Sequence, residues 1–296
     1  MISKNKHDNK LNLLFINLPY VPIEDINLRI KNQGKKFTHL SFPMGILYLS
    51  SIVKNWNICS NIEILDFQYE LNNIENYSDV SEFIIRTAKN KIKFIPDVIS
   101  FSLMFTTSYE FFTICIAKLK EIWPNCTVII GSFIATNCTE KLLENENVDY
   151  VLRGEGELGL PSFLEQMHDS TEINIKGIYS KINPKKLDKL ELCDRIENLD
   201  DLPFPDWELI QINEYLRNGG RSILSSKSVE QTATASIITS RGCPFNCTFC
   251  SAKTVHGRKM RFRSINNIIE EIFILHKKYG VTEILFEDDL FTANKK

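Results

Sequence analysis

From Leu11 to His168 the chain alternates short, nearly continuous apolar runs with longer amphipathic stretches, and this alternation narrows the fold more than any other feature. A run that is apolar at almost every position needs cover on both sides. It fits a strand of a parallel sheet lying between helices better than a strand with one face in water. The runs are 11–18, 62–67, 97–104, 127–131 and 148–153, and five such strands fit one doubly wound α/β domain. Between them Ile46, Leu49, Ile52 or Val53, and Trp56 recur at helical spacing, as do Phe112, Cys115, Leu119 and Ile122, with Ser108 placed to cap the latter helix. Both stripes read as core. Ligands of such sheets sit at the carboxyl ends of the strands, which gathers the loops after Leu18, Leu103, Gly131 and Arg153 around one crevice. No G-x-G-x-x-G follows the first run, so a dinucleotide site has no support.

After His168 the pattern weakens into a strand-like piece at 177–180 and a charged, irregular stretch with Pro184, Lys185 and Lys186, which reads as connecting structure. Residues 198–207 are stiffened by Pro203 and Pro205, with Phe204 and Trp207 able to pin them to a neighbour. Residues 218–231, rich in serine and glycine, read as a mobile loop. Regular patterning resumes with a buried strand at 235–240. Ser264 can then cap a helix whose Ile265, Ile268 or Ile269, Ile272, Leu275 and Tyr279 share a face before Gly280 ends it. A second strand, 282–287, runs into Glu287-Asp288-Asp289. Strand, crossover helix and strand fit the opening of a β/α barrel, in which the active face would lie at the carboxyl ends of the strands. The expected division is a disordered tail (1–10), a doubly wound domain (11–168), a connecting segment (169–229) and the first part of a barrel (230–296).

The loop after the 235–240 strand holds Cys243-Pro-Phe-Asn-Cys247-Thr-Phe-Cys250, directly behind Arg241-Gly242. Thiolates spaced this tightly can converge on one centre, and three ligands instead of four leave a position of an iron–sulfur cluster open for chemistry. A structural zinc with His256 as fourth ligand is the alternative. Cys59, Cys115, Cys126, Cys138 and Cys193 lack ligand spacing and read as reduced thiols, which points to the cytoplasm. Gly154-Glu155-Gly156-Glu157 reads either as paired catalytic carboxylates or as a tight turn whose acids favour the N-terminus of the following helix. Glu287 and Asp288 are either site carboxylates or solvated partners for Arg258, Lys259, Arg261 and Arg263.

With 296 residues, 43% of them hydrophobic, the chain can bury a large core, and a net charge of −2 gives no general attraction to nucleic acid or anionic membrane. The first ten residues are too polar for a signal peptide, and the apolar stretch 42–53 is too short and too interrupted to span a bilayer.

The C-x3-C-x-aromatic-C loop, with Phe249 in the aromatic place, resembles the cluster loop of the radical S-adenosylmethionine (SAM) enzymes. The series Asn17-Leu18-Pro19-Tyr20, Phe42-Pro43-Met44-Gly45, Pro96-Asp97-Val98, Gly131-Ser132 and Val148 to Glu157 resembles the cobalamin-binding-type domain that precedes the barrel in one branch of that family. The resemblance implies a Rossmann-like domain followed by the first units of a radical SAM partial TIM barrel. By the same resemblance, Cys243, Cys247 and Cys250 hold a [4Fe–4S] cluster, and SAM chelates the remaining iron. Phe249 lies beside the adenine, and Glu287 or Asp288 receives the SAM ammonium. Cobalamin rests near Gly131, Ser132, Gly154 and Glu155. One electron, from a donor such as flavodoxin or ferredoxin, splits SAM to a 5′-deoxyadenosyl radical that acts on a small-molecule or peptide substrate, for methylation or rearrangement.

Two departures from that pattern stand out. Ser132 occupies a place usually held by glycine. No D-x-H-x-x-G donates a histidine to cobalt, and His39 reads as a loop histidine. About two β/α units are readable before Lys296, so more polypeptide or a partner is expected to complete the barrel. The alternative is a truncated, non-catalytic corrinoid- or cluster-binding module acting with a partner.

Overall fold

The structure, a computed structural model, describes residues 10–32, 40–74, 76–182, 187, 189–218 and 233–293. His39, the 184–186 stretch, nearly all of the 218–231 loop and the first nine residues lie outside the described residues.

The first sheet contains β1 (Leu11–Asn17), β2 (Cys59–Asp66), β3 (Val98–Ser102), β4 (Thr127–Gly131), β5 (Tyr150–Leu152) and β6 (Ile178–Ser180). Their order is β2-β1-β3-β4-β5-β6. The first five strands run parallel, and β6 returns antiparallel along the edge of β5. Placing β1 between β2 and β3 creates a switch point, where neighbouring connections leave to opposite faces and open a crevice.

The strand-like piece at 177–180 is the sixth strand and belongs to the first sheet, not to the connecting segment. Gly177, at φ +81°, turns the chain back against β5, and Ile178 and Tyr179 are buried there. β2 also begins earlier than its apolar run. It is an edge strand, so its first turns carry exposed Ser60 and Asn61 and escape a search for continuous apolarity.

Helices α1 (Ile23–Lys31), α2 (Met44–Trp56), α3 (Phe67–Glu70), α4 (Val80–Lys91), α5 (Tyr109–Ile122), α6 (Ser132–Asn137), α7 (Thr139–Leu143) and α8 (Gly159–His168) connect the strands. Alternation along β1 divides the core: Leu14 and Ile16 face the cluster built by α1, α4 and α5, while Leu13 and Phe15 face α2 and α8. The expected stripe of α5 is present, with Phe112, Cys115 and Leu119 buried. Its expected cap is not. Ser108 Oγ donates instead to the carbonyl of Pro19 at 2.6 Å and ties the loop after β3 to the loop after β1.

Helix α9 (Ile212–Asn218) then leads toward the second body, which contains β7 (Thr234–Ile237), β8 (Ser240–Arg241), α10 (Ala252–Val255), β9 (Arg261–Phe262), α11 (Ile265–Tyr279) and β10 (Glu283–Phe286). β7 pairs parallel with β10 across α11, and β8 pairs antiparallel with β9. Thus the expected 235–240 strand is split, with its last residues forming a separate ribbon below the cysteine loop.

Ser264 caps α11 by accepting from Asn267 N at 3.2 Å, and Gly280 ends it at φ +68°. Leu275 is fully buried on the predicted face, whereas Ile265 is 74% exposed and lies off it. A shared core of Phe42, Leu47, Trp207, Tyr215, Ile237 and Leu275 joins α2, the connecting segment and the barrel strands. Among the described residues, no helix is long and apolar enough to cross a membrane.

Candidate functional site

The carboxyl ends of the two sheets face one another across a cavity of 420 Å³, within the usual range for a ligand site. Asn17, Ser102, Gly131 and the turn 154–157 reach it from the first sheet, and Ile238, Ser240, Arg241 and Glu287 reach it from the second. The crevice expected from the loops after β1, β3, β4 and β5 is therefore present and has a second wall.

The floor is open where glycines stand. A side-chain carbon built on Gly45 or Gly131 would meet nothing within 4 Å, so a flat ligand could lie directly on the backbone at both places. Ser132, beside Gly131, has φ +85°. That left-handed conformation is strained for a residue with a Cβ and natural for glycine, which gives the departure noted in the sequence a physical form.

The cysteine loop follows β8, and the residues that flank it, Arg241 on one side and Val255 and His256 on the other, line the cavity. Cys243 is half-buried, Cys247 and Cys250 are exposed, and all three are free thiols. Their chemistry fits an iron–sulfur cluster, since the ligand set is thiolate and no disulfide removes it. The side chains are not drawn together: among the described residues no three His, Cys, Asp or Glu side chains form a group able to hold a metal ion. Phe249 is 91% exposed and stands clear of the core. Helix α10, which follows the loop, packs on α6, with Asn137 Nδ2 donating to Thr254 Oγ1 at 2.9 Å.

The two carboxylates after β10 part company. Glu287 lines the cavity and accepts from Ser236 Oγ at 2.5 Å. Asp288 clasps the turn between β7 and β8: its Oδ1 accepts from Thr239 N (3.1 Å), Thr239 Oγ1 (2.9 Å) and Ser240 Oγ (2.6 Å). Its Oδ2 is buried with no partner among the described residues. The basic residues go elsewhere. Arg261 pairs with Glu155, Arg263 with Glu271 and Lys259 with Glu197, and not with Glu287 or Asp288.

The acids of the 154–157 turn were expected to serve the helix that follows, yet both reach away from it. Arg241 Nη1 donates to Glu157 Oε1 at 2.6 Å and to Glu155 Oε2 at 3.2 Å. Arg261 donates to both oxygens of Glu155, and His256 Nδ1 lies 2.8 Å from Glu155 Oε1. Burial alone raises the Glu155 carboxyl, but the hydrogen bonds from His256 and Arg261 and the charge of Arg241 outweigh it and hold the group at about 2. Sequence reasoning missed this cluster because its members lie 84 to 106 residues apart. The only local signal was Arg241 directly before the cysteines and the run of Arg258, Arg261 and Arg263 after them.

A second polar group adjoins the cavity. Asp66, at the end of β2, accepts from Asn17 Nδ2 and Tyr69 N, each at 3.0 Å, and from the hydroxyl of Tyr215. Burial pushes its carboxyl up to about 6 in spite of these donors.

Residues 34–164 match the model of the B12 binding domain, and residues 237–296 match that of the radical SAM superfamily. An uncharacterised methyltransferase of Pyrococcus horikoshii is 32% identical over 257 residues, covering 86% of this chain and 50% of that protein. The cytidylyl-2-hydroxyethylphosphonate methyltransferase of Streptomyces wedmorensis is 23% identical, covering 85% and 52%. The chain thus spans about half the length of these curated relatives. In fold it is similar to the radical SAM methyltransferase TsrM of Kitasatospora setae, solved with cobalamin and a [4Fe–4S] cluster, at a TM-score of 0.64 and 14% identity over 95% of this chain and 49% of that one. With its parallel sheet, its opening barrel units and its cysteine loop, this chain is a radical SAM protein carrying an N-terminal cobalamin-binding-type domain.

Proposed function

We propose that the chain supplies the cobalamin domain and the first barrel units of an enzyme that cleaves SAM reductively to a 5′-deoxyadenosyl radical, for cobalamin-assisted C-methylation of its substrate. The observation that carries this reading is the shared cavity, where the carboxyl ends of a corrinoid-type sheet and of the barrel strands meet, with Arg241 and His256, which flank the loop of three free thiols, in its wall. The methyltransferase names of the relatives, and the cofactors held by the similar solved chain, support it.

In this reading Cys243, Cys247 and Cys250 hold a [4Fe–4S] cluster that, when bound, supplies the electron for SAM cleavage. Exposed Cys247 and Cys250 leave that edge open to a small electron donor such as flavodoxin or ferredoxin, in keeping with a reducing cytoplasm. Phe249 is free to turn onto the adenine. Glu287, which faces the cavity, receives the SAM ammonium, while Asp288 holds the turn between β7 and β8 in place. Gly131, Ser132 and Gly154 give the corrinoid a backbone surface, and the low-dielectric walls of the cavity exclude water from the reacting groups. In this reading the doubly wound unit extends past 168 to include β6, and β7 is the first barrel strand.

Anaerobic reconstitution with iron and sulfide, followed by incubation with SAM, hydroxocobalamin and a reductant, tests the proposal. The expected result is 5′-deoxyadenosine and a corrinoid absorption band that stays with the protein through gel filtration. A cluster that forms without any SAM cleavage would favour a non-catalytic binding module. A colourless protein with stoichiometric zinc would overturn both.

A further inference from the structure

The residues that grip Glu155 come from both ends of the cysteine loop. Arg241 lies two positions before Cys243, His256 six positions after Cys250, and Arg261 on β9, which pairs with the Arg241 strand. Arg241, Arg261, Glu155 and Glu157 are each less than a tenth exposed, so their contacts are little screened by solvent. Arg241 is flanked on a further side by the ring of Tyr48, 5.4 Å away and itself on the cavity wall. Arg195 adds a bond from its Nη1 to the His256 carbonyl at 2.7 Å.

The turn that carries the two acids is also cavity wall. Gly154 stands at φ +85°, Gly156 approaches Leu49 of α2 closely, and all four turn residues line the cavity. One short piece of backbone therefore touches the space proposed for the corrinoid on one side and anchors both ends of the cysteine loop on the other.

We infer that Glu155, with Glu157, is a positioning residue that locks the cysteine loop to the corrinoid cavity, so that filling the cavity stiffens the loop and assembling the loop tightens the cavity. The inference rests on the cofactor reading above and deepens it. Glu155 then acts through Arg241, Arg261 and His256 and not as a corrinoid contact, since both its oxygens are occupied. Thermodynamic linkage requires the effect to run equally in both directions.

The test follows iron loss from anaerobically reconstituted protein to a chelator, with and without hydroxocobalamin. For the wild type, cobalamin is expected to slow iron loss about tenfold, within the usual range for coupled sites. Glu155→Gln should lose iron at nearly the same rate in both conditions while still showing a bound corrinoid band. Glu271→Gln is the control. It breaks an equally buried pair, with Arg263, that lies in the barrel and does not reach the 154–157 turn, so it should keep the wild-type ratio. If Glu155→Gln does not fold, as judged by circular dichroism, Glu157→Gln removes only the Arg241 contact and should show an intermediate ratio.

A tenfold slowing that survives in the Glu155 and Glu157 variants overturns the inference, as does its loss in Glu271→Gln. Wild-type protein that binds cobalamin without slowing iron loss overturns the coupling alone. Wild-type protein that takes up no cobalamin sinks the cofactor reading and the coupling with it.

Discussion

The hydroxyl of Tyr215, on α9, donates to the carboxylate of Asp66 at the carboxyl end of β2, 149 residues earlier in the chain. Tyr215 also stacks on Phe42 and Tyr69, with ring centres 5.3 and 5.8 Å away. The connecting segment is thereby held to the rim of the first sheet.

The burial of Asp66 at this contact makes stability depend on pH. The native Asp66 carboxyl, raised by burial to about 6 from an ordinary 3.8, holds its proton more tightly than the unfolded chain does. Stability contributed by the protonated form is therefore lost as pH rises from about 4 through about 6, by about 3 kcal/mol. Asp66→Asn, neutral at every pH, should unfold at nearly the same urea concentration at pH 4.5 and 7.5, where the wild type weakens. A variant with the wild-type slope would assign that slope to another group.

Much of this architecture was legible in the sequence. The 127–131 run matches β4 residue for residue, and the strands of the interior show clearly because both their faces are covered. Ser264 and Gly280 bound α11 as expected, because caps are local chemistry. What stayed hidden was non-local. Ser108 spends its hydroxyl on Pro19, and Glu155 spends its charge on arginines a hundred residues away, and neither leaves a periodic trace. β6 did show as a strand-like piece, but its pairing along β5 is non-local and left no trace in the sequence.

Ser132 offers a test of strain at the cavity floor. Its φ of +85° disfavours any side chain with a Cβ, so Ser132→Gly should stabilise the protein by about 1 kcal/mol after allowing for the looser unfolded chain. That corresponds to a rise of roughly 2–4 °C in thermal midpoint. Ser132→Ala keeps the Cβ and should show no rise. Equal midpoints for the glycine and alanine variants would mean that the conformation costs little.

Gly242 sits between Arg241 and the first candidate ligand, at φ +95°, and a Cβ there would lie 2.7 Å from the carbonyl oxygen of Lys259. Because that oxygen is backbone, no side-chain rotation relieves the clash. Gly242→Ala is expected to lower stability by about 2 kcal/mol and to displace the base of the cysteine loop. Iron and sulfide content after reconstitution should fall with it. Wild-type content together with a wild-type midpoint would show that the loop tolerates the shift.

Glu287 and Asp288 should separate binding from folding. Glu287 faces the cavity, so Glu287→Gln is expected to weaken SAM binding at least tenfold, equivalent to about 1.4 kcal/mol, with little change in midpoint. Asp288→Ala removes three hydrogen bonds from the turn between β7 and β8 and should lower the midpoint by several degrees. Calorimetric titration with SAM beside thermal scans of both variants reads the difference. If the two effects are exchanged, the ammonium partner is Asp288.

The opposed strand ends carry a consequence for how such a protein can diversify. Strand residues such as Phe15, Ser100 and Ile129 form the bed of the shared cavity, while its rim is built from loops, turns and the first turns of helices. Lineages could therefore exchange one substrate for another by rewriting a few dozen rim positions, leaving the hidden framework and the spacing between its halves untouched.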